Sequence, residues 1–170
     1  MQTLQKNAEA NGYHNIFPVQ TAIGDKNGET TLFLKDRWDW GTTTFNAEDG
    51  YSEKNSVKVP LATLDSFFEK NGLSGKKIDI VKIDIEGGEM LALAGMKKLI
   101  QDNPNMSVIS EFLYFDSDDG YRYLNEWKKL GFSLYRINEK ERKLVPQTVD
   151  EIVHTPMSVR IHSTNIFLKR

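Results

Sequence analysis

The chain has 170 residues, of which 39% are hydrophobic and 27% charged, with a formal net charge of -2 at pH 7. This length suits a single domain over residues 1–170 with a core of ordinary size. The composition excludes general disorder, and the small net charge gives no reason to expect a nucleic-acid partner. The chain contains no cysteine, which excludes disulfides, thiol nucleophiles and thiolate metal sites and favours a reducing compartment.

No segment of the sequence has the character of a membrane anchor or a secretion signal. No apolar run approaches the roughly 20 residues that cross a bilayer. Residues 1–12, MQTLQKNAEANG, lack the apolar stretch of a signal peptide. We therefore expect a soluble, cytoplasmic protein without a membrane partner.

Periodic segments and turn signals divide the chain into alternating helices and strands. In chain order they predict a helix over 2–10, strands over 16–22 and 29–34, a hairpin arm over 57–60, a helix over 63–72, a strand over 78–85, a helix over 90–100, a strand over 108–112, a helix over 119–130, and strands over 132–137 and 164–168. The pattern of residues 144–161 is too weak to predict a helix or a strand there. This alternation predicts a three-layer α/β domain whose ligand lies at the carboxyl ends of the strands.

The most informative segment is residues 78–85, with the sequence IDIVKIDI. Its β-branched residues occupy both alternating faces, which is typical of a strand buried on both sides in a parallel sheet. A lysine in such a strand is costly unless it pairs. We therefore expect Lys82 to form a structural ion pair with a carboxylate.

Three carboxylates follow this strand. Asp84 lies at its carboxyl end, Glu86 in the turn, and Glu89 in the first turn of the next helix. The glycines at 87 and 88 would let a ligand approach the backbone closely, because glycine has no Cβ. Alternatively, Glu86 and Glu89 only favour the helix N-terminus.

Glu111 lies at the end of the next predicted strand. If the two strands are neighbours, Asp84 and Glu111 lie side by side. Such a pair could hold an ammonium group, position a hydroxyl and accept its proton, or bind a divalent cation. Alternatively, Glu111 faces solvent beyond the strand end.

The loop over residues 35–56 contains two Trp and three consecutive Thr. Its composition predicts an ordered functional loop. Indole faces beside hydroxyls suit a saccharide-like substrate, or the carboxylate or ribose of a cofactor, but Trp38 and Trp40 could equally cover the core.

Several familiar kinds of site are not supported by the sequence. His14, His154 and His162 lack metal-ligand spacing, so we treat them as surface or core residues and predict no metal. The sequence has no glycine-rich phosphate loop and no serine elbow, which argues against nucleotide-phosphate enzymes and hydrolases of that type.

The segment VKIDIEGGEMLALAG, residues 81–95, resembles the FkbM family of methyltransferases. The residues that match its hallmark are Lys82, Asp84, Glu86, Gly87, Glu89 and Gly95. Further similar signals, in the family's order, are Asn11-Gly12, Ala22-Ile23-Gly24-Asp25, Gly41-Thr42-Thr43 and Leu64-Asp65. The resemblance runs from about residue 2 to 112, with weaker support to 169.

The resemblance implies transfer of a methyl group from S-adenosylmethionine to a hydroxyl of a saccharide or natural product. It also implies a Rossmann-like class I methyltransferase sheet that is mostly parallel with an antiparallel C-terminal strand. The expected cofactor-binding residues are Ala22, Gly24, Asp25, Asp84, Glu86 and Gly87. The expected acceptor-binding residues are Trp40, Thr42 and Thr43, with Asp84 and Glu111 as catalytic residues.

The sequence departs from the family pattern at its start. The family's first strand with its glycine-rich loop, and the next strand with its ribose-binding acid, are absent, so we expect an N-terminally truncated domain. The first strand would lie beside residues 78–85, which leaves a long apolar edge. We expect residues 16–22 or a second copy of the chain to cover it. The alternative function is a non-catalytic interaction or carbohydrate-binding module derived from a methyltransferase.

Overall fold

The computed structural model describes residues 2–35, 43–44, 51–85, 87–113, 117–154 and 163–170. In chain order the elements are α1 (Gln2–Ala10), β1 (Ala22–Ile23), β2 (Gly28–Lys35), β3 (Thr43–Thr44), β4 (Tyr51–Ala62), α2 (Leu64–Lys70), β5 (Ile80–Ile83), α3 (Glu89–Ala94), α4 (Lys97–Asp102), β6 (Ser107–Leu113), α5 (Ser117–Lys129), β7 (Ser133–Asn138), β8 (Lys143–Gln147), α6 (Val149–Val153) and β9 (Ser163–Lys169). Within these ranges, no helix has both the length and the apolar character that a membrane crossing needs.

The first sheet comes from the N-terminal half of the chain, with strand order β1-β4-β2-β3. β2 and β4 form an antiparallel hairpin, as the sequence predicts, while β1 pairs in parallel with the end of β4. The strand predicted over 16–22 is wrong for most of its length, because only Ala22–Ile23 forms a strand. Pro18 lies in the middle of that segment and has no N–H to donate to a ladder. The loop predicted over 35–56 is also too long, because β4 begins at Tyr51.

The second sheet has five strands in the order β5-β6-β9-β7-β8. Only β5 and β6 run parallel, and the other three pairs are antiparallel. The expectation of a mostly parallel sheet is therefore wrong, since both sheets are mixed. One antiparallel pair has a local cause, because β7 and β8 are joined by a tight turn, which can connect only antiparallel strands.

The strand predicted over 78–85 is shorter than expected and is not buried on both sides. β5 spans Ile80–Ile83, and the Ile80 side chain is 57% exposed, whereas Ile83 is 4% exposed. Among the described strands, β5 pairs only with β6, so it is an edge strand. Residues 16–22 do not cover this edge, because the strand that begins at Ala22 pairs with β4. Pairing with a second copy remains a prediction.

The core lies between the five-stranded sheet and helices α3–α6. Its largest fully buried side chains are Trp127, Phe132, Met96, Ile100, Met106, Leu124, Ile166, Leu168 and Val108. The Trp127 and Phe132 rings meet edge to face with centroids 4.9 Å apart. Burying each such side chain stabilises the fold by roughly 1.5–3 kcal/mol. The predicted helix that ends before Gly131, with Leu124 and Trp127 on its inner face, is confirmed.

The segment predicted as one helix over 90–100 forms two helices, α3 and α4, because the helix is interrupted at Gly95 and Met96. A Cβ on Gly95 would overlap the main-chain oxygen of Gly24 and lie 3.2 Å from the Cβ of Thr63. The Asp65 N–H donates to the Gly95 oxygen (3.0 Å). We call the contact of Gly24, Asp65 and Gly95 the glycine junction.

The Asp65 carboxylate completes the glycine junction by capping α4. It accepts hydrogen bonds from the backbone N–H groups of Lys98 (3.0 Å) and Leu99 (2.8 Å). These are donors of the first helical turn, which have no partner within the helix. The first sheet and α2 are thereby joined to the helical layer that covers the second sheet.

We expect Gly95→Ala to destabilise the protein by roughly 1–3 kcal/mol, because the added methyl group has no space against the Gly24 backbone. Chemical denaturation followed by circular dichroism would measure the change. The matched control is Ala94→Ser at the neighbouring exposed position, where the change should stay within about 0.5 kcal/mol. Equal unfolding midpoints for Gly95→Ala and the parent protein would contradict the junction's role.

Candidate functional site

Strand register brings the two predicted catalytic carboxylates together. β5 and β6 pair in parallel, with Lys82 opposite Ile109 and Ile83 opposite Ser110. The next residues along the two strands are Asp84 and Glu111, and their carboxyl groups share a hydrogen bond. Asp84 directly follows β5, and Glu111 lies near the end of β6, so both are at the carboxyl-end edge of the sheet, where ligands of α/β sheets bind. The structure therefore contains the paired acidic site that the sequence predicts at this edge.

Lys82 pairs with Asp84, at 2.7 Å between Nζ and Oδ2. The ion pair is the one predicted, but the two side chains are 44% and 50% exposed, so it lies at the open surface. The hydrogen bond from Lys82 is the main cause that lowers the pKa of Asp84; burial opposes it, and the hydrogen bond shared with Glu111 adds a weaker lowering. The lowered pKa keeps Asp84 in its charged carboxylate form at neutral pH.

We expect Lys82→Met to raise the pKa of Asp84, measured from the carboxyl carbon shift in an NMR titration. A lowered pKa stabilises the fold fully above the unfolded value of roughly 3.9, and the contribution is lost as the pH falls through the folded-state pKa. In Lys82→Met this acid-side loss of stability should become smaller. Lys77→Met is the matched control, because it removes another exposed ion pair, with Asp79, and leaves Asp84 in place. An unchanged Asp84 titration in Lys82→Met would contradict the assignment.

Glu89 closes the turn that follows β5. Its side chain is 8% exposed, and Oε1 accepts hydrogen bonds from the N–H groups of Ile85 (3.2 Å) and Gly87 (3.3 Å). Gly87 has a φ of 95°, a backbone conformation that favours glycine. Glu89 therefore stabilises the turn between β5 and α3 through N–H groups that precede the helix. Glu86 lies outside the described residues.

A buried polar contact, which sequence reasoning missed, supports Glu111 from the helix side. The Ser110 hydroxyl is fully buried, lies 2.7 Å from the Tyr123 hydroxyl, and donates to the main-chain oxygen of Glu111 (3.1 Å). Burial raises the pKa of Tyr123 to about 12, with a smaller contribution from the charge of Glu89. The available signal was a serine inside an apolar strand, because a buried hydroxyl needs a partner. This contact fixes β6 to α5 beside the acidic pair.

We expect Tyr123→Phe to destabilise the protein by about 1–3 kcal/mol, because it removes one partner of a buried hydroxyl. Thermal unfolding would measure the change. The control is Tyr13→Phe, whose ring is 57% exposed, and which should have no measurable effect. If both variants unfold like the parent protein, the Ser110–Tyr123 contact contributes nothing to the fold.

Three of the residues predicted to bind the cofactor, Ala22, Gly24 and Asp25, lie at the end of β1. Ala22 is in the strand, and Asp25 follows it with an exposed side chain. Gly24 is buried, its N–H donates to Ala62 (3.0 Å), and a Cβ on it would lie 3.0 Å from Leu61 Cδ1. Gly24 therefore has a packing role in the glycine junction, whatever it contributes to a ligand.

The predicted acceptor-binding residues are described only in part. Trp40 and Thr42 lie outside the described residues. Thr43 is in the short strand β3, where it pairs with Leu34 of β2 in antiparallel register. Thr43 therefore belongs to the outer edge of the first sheet.

Comparison with protein families agrees with the motif around the acidic pair. Residues 2–134 match the sequence model of the family described as Methyltransferase FkbM domain. This match spans the first sheet, the β5–β6 pair and α5, and it assigns the chain to the methyltransferases in general. More specifically, the chain belongs to the FkbM methyltransferase family. No curated protein and no solved structure matches the chain.

Proposed function

We propose that the protein is an S-adenosylmethionine-dependent O-methyltransferase that acts on a hydroxyl group of a saccharide or natural product. The observation that carries this proposal is the Asp84–Glu111 pair, held at the carboxyl edge of β5 and β6 in a chain of the FkbM family. When bound, S-adenosylmethionine supplies a methyl group on a positively charged sulfur.

The residues at this edge fit such a ligand in charge and in shape. Asp84 is ionised and half-exposed, so it can contact an ammonium group. Gly87 has no Cβ, and among the described residues no atom lies within 4 Å of where one would be, so the turn leaves room for a ligand against the backbone. In this proposal Asp84, Glu86 and Gly87 hold the methionine end, while Ala22, Gly24 and Asp25 flank the adenine.

The acidic pair also suits a hydroxyl acceptor. Asp84 carries a negative charge and lies beside Glu111, so the pair offers carboxyl oxygens to an acceptor hydroxyl. A carboxylate whose pKa is lowered is a weak proton acceptor. The main contribution of the pair is therefore orientation of the acceptor oxygen, with Trp40, Thr42 and Thr43 as the further acceptor-binding residues of this proposal.

We expect isothermal titration calorimetry to detect S-adenosylmethionine binding with an affinity on the order of micromolar. Asp84→Asn should weaken binding by about 10-fold or more, because a charged hydrogen-bond partner is lost. Asp79→Asn is the control, since Asp79 precedes β5 at the opposite end of the strand and its side chain is 77% exposed. No heat at millimolar ligand would refute this function and support the non-catalytic interaction or carbohydrate-binding module.

A further inference from the structure

The row of polar side chains that contains the acidic pair continues onto a third strand. β9 pairs antiparallel with β6, and Asn165 lies directly opposite Glu111 in that register. Directly opposite residues of an antiparallel pair have Cβ atoms about 4.5–5.5 Å apart. Asp84, Glu111 and Asn165 therefore form one row across the sheet, which we call the polar row.

The polar row lies on the face of the sheet opposite the helical layer. Ser110 and Ile166 are partners in the same register, and they are 0% and 1% exposed. Ser110 contacts Tyr123 of α5, so this pair faces the helices. Because side chains alternate along a strand, the neighbouring pair of Glu111 and Asn165 shares the other face. Asn165 is exposed, and within the described residues its side-chain amide makes no hydrogen bond.

Two aromatic rings lie next to the polar row on the same face. Phe167 is two residues after Asn165, and it is the register partner of Tyr135 in β7. The two rings meet at 62° with centroids 6.3 Å apart, and both side chains are half-buried. Two residues of a strand span about 7 Å, a separation that a single sugar ring can bridge.

Amide and carboxyl groups beside aromatic rings match the surface of a saccharide. A sugar ring carries hydroxyl groups around its rim, and the Asn165 carboxamide can both donate to them and accept from them. The C–H groups of the sugar form an apolar face, which packs favourably against an aromatic ring. An anionic acceptor is disfavoured, because Asp84 carries a negative charge. A fully apolar acceptor would bury the Asn165 amide without a hydrogen-bond partner, which costs free energy.

We propose that Asn165 binds the hydroxyl groups of a neutral saccharide acceptor, with the Phe167 and Tyr135 rings against the C–H face of the sugar. This inference rests on the proposed function, and it places the acceptor over β6, β9 and β7, beside the acidic pair. Because Asn165 holds neighbouring hydroxyl groups, it orients the sugar and so selects the hydroxyl that reaches Glu111.

NMR titration of the protein with methyl glucoside, methyl galactoside and methyl mannoside tests this inference without cofactor. We expect at least one glycoside to bind the parent protein and to shift the amide signals of β6 and β9. Asn165→Ala should weaken that binding by about 10-fold, because a hydrogen-bond partner of the sugar is lost. Its unfolding midpoint should stay unchanged, because the side chain is exposed. Asn105→Ala is the matched control, since Asn105 is an exposed asparagine that precedes β6 at its opposite end.

Deoxy versions of the bound glycoside give a readout that a merely structural role would not change. The version that lacks the hydroxyl group bound by Asn165 should have equal affinities for the parent protein and for Asn165→Ala. Phe167→Leu keeps apolar bulk and removes the ring, so it should weaken glycoside binding by about 2–10-fold. Phe17→Leu is the matched control, because the Phe17 ring is 83% exposed elsewhere in the chain.

No binding of any of the three glycosides, or parental affinity in Asn165→Ala, would overturn the inference. Calorimetry with S-adenosylmethionine tests the proposed function separately. A parent protein that binds S-adenosylmethionine but no glycoside contradicts the inference alone. A parent protein that binds a glycoside through Asn165 but binds no S-adenosylmethionine contradicts the proposed function, and Asn165 is then the ligand-binding residue of a carbohydrate-binding module.

Discussion

The contact between Gly95 and Gly24 is the constraint on which the rest of the structure depends. A side chain at position 95 would overlap the Gly24 main-chain oxygen, so the two segments approach this closely only because residue 95 is a glycine. The close approach lets Asp65 bond to the Gly95 oxygen and cap α4, which joins the first sheet to the helices over the second. Several residues of the family motif thus act in folding, and they hold the chain segments that carry the acidic pair.

The sequence predicted the acidic pair because it depends on only two facts. Asp84 and Glu111 lie close to the carboxyl ends of two strands, and those strands are joined through helices, which favours parallel neighbours. The buried Ser110–Tyr123 contact could not be predicted, because it depends on which face of α5 meets which face of β6.

The positions of most helices and strands followed from periodicity, but strand direction did not. β9 enters the second sheet between β6 and β7 and runs antiparallel to both, a placement that no local pattern specifies. β8 was missed because its side chains are mostly exposed and it contains a proline, and α6 because it has only five residues. Around Gly95 the sequence keeps the apolar pattern of a single helix. In the structure the helix is interrupted there, because of the tertiary contact with Gly24.

The ion pair of Lys82 with Asp84 has a consequence for any positively charged molecule that arrives at this edge. The Lys82 ammonium group already lies 2.7 Å from the Asp84 carboxylate, so Lys82 itself occupies the position where a cation would bind. An incoming cation must displace the Lys82 ammonium group, and its binding free energy gains only the difference between two similar attractions to Asp84. Discrimination between ligands would then come from their shape and hydrogen bonding, since net charge alone gives an incoming molecule little advantage over the lysine.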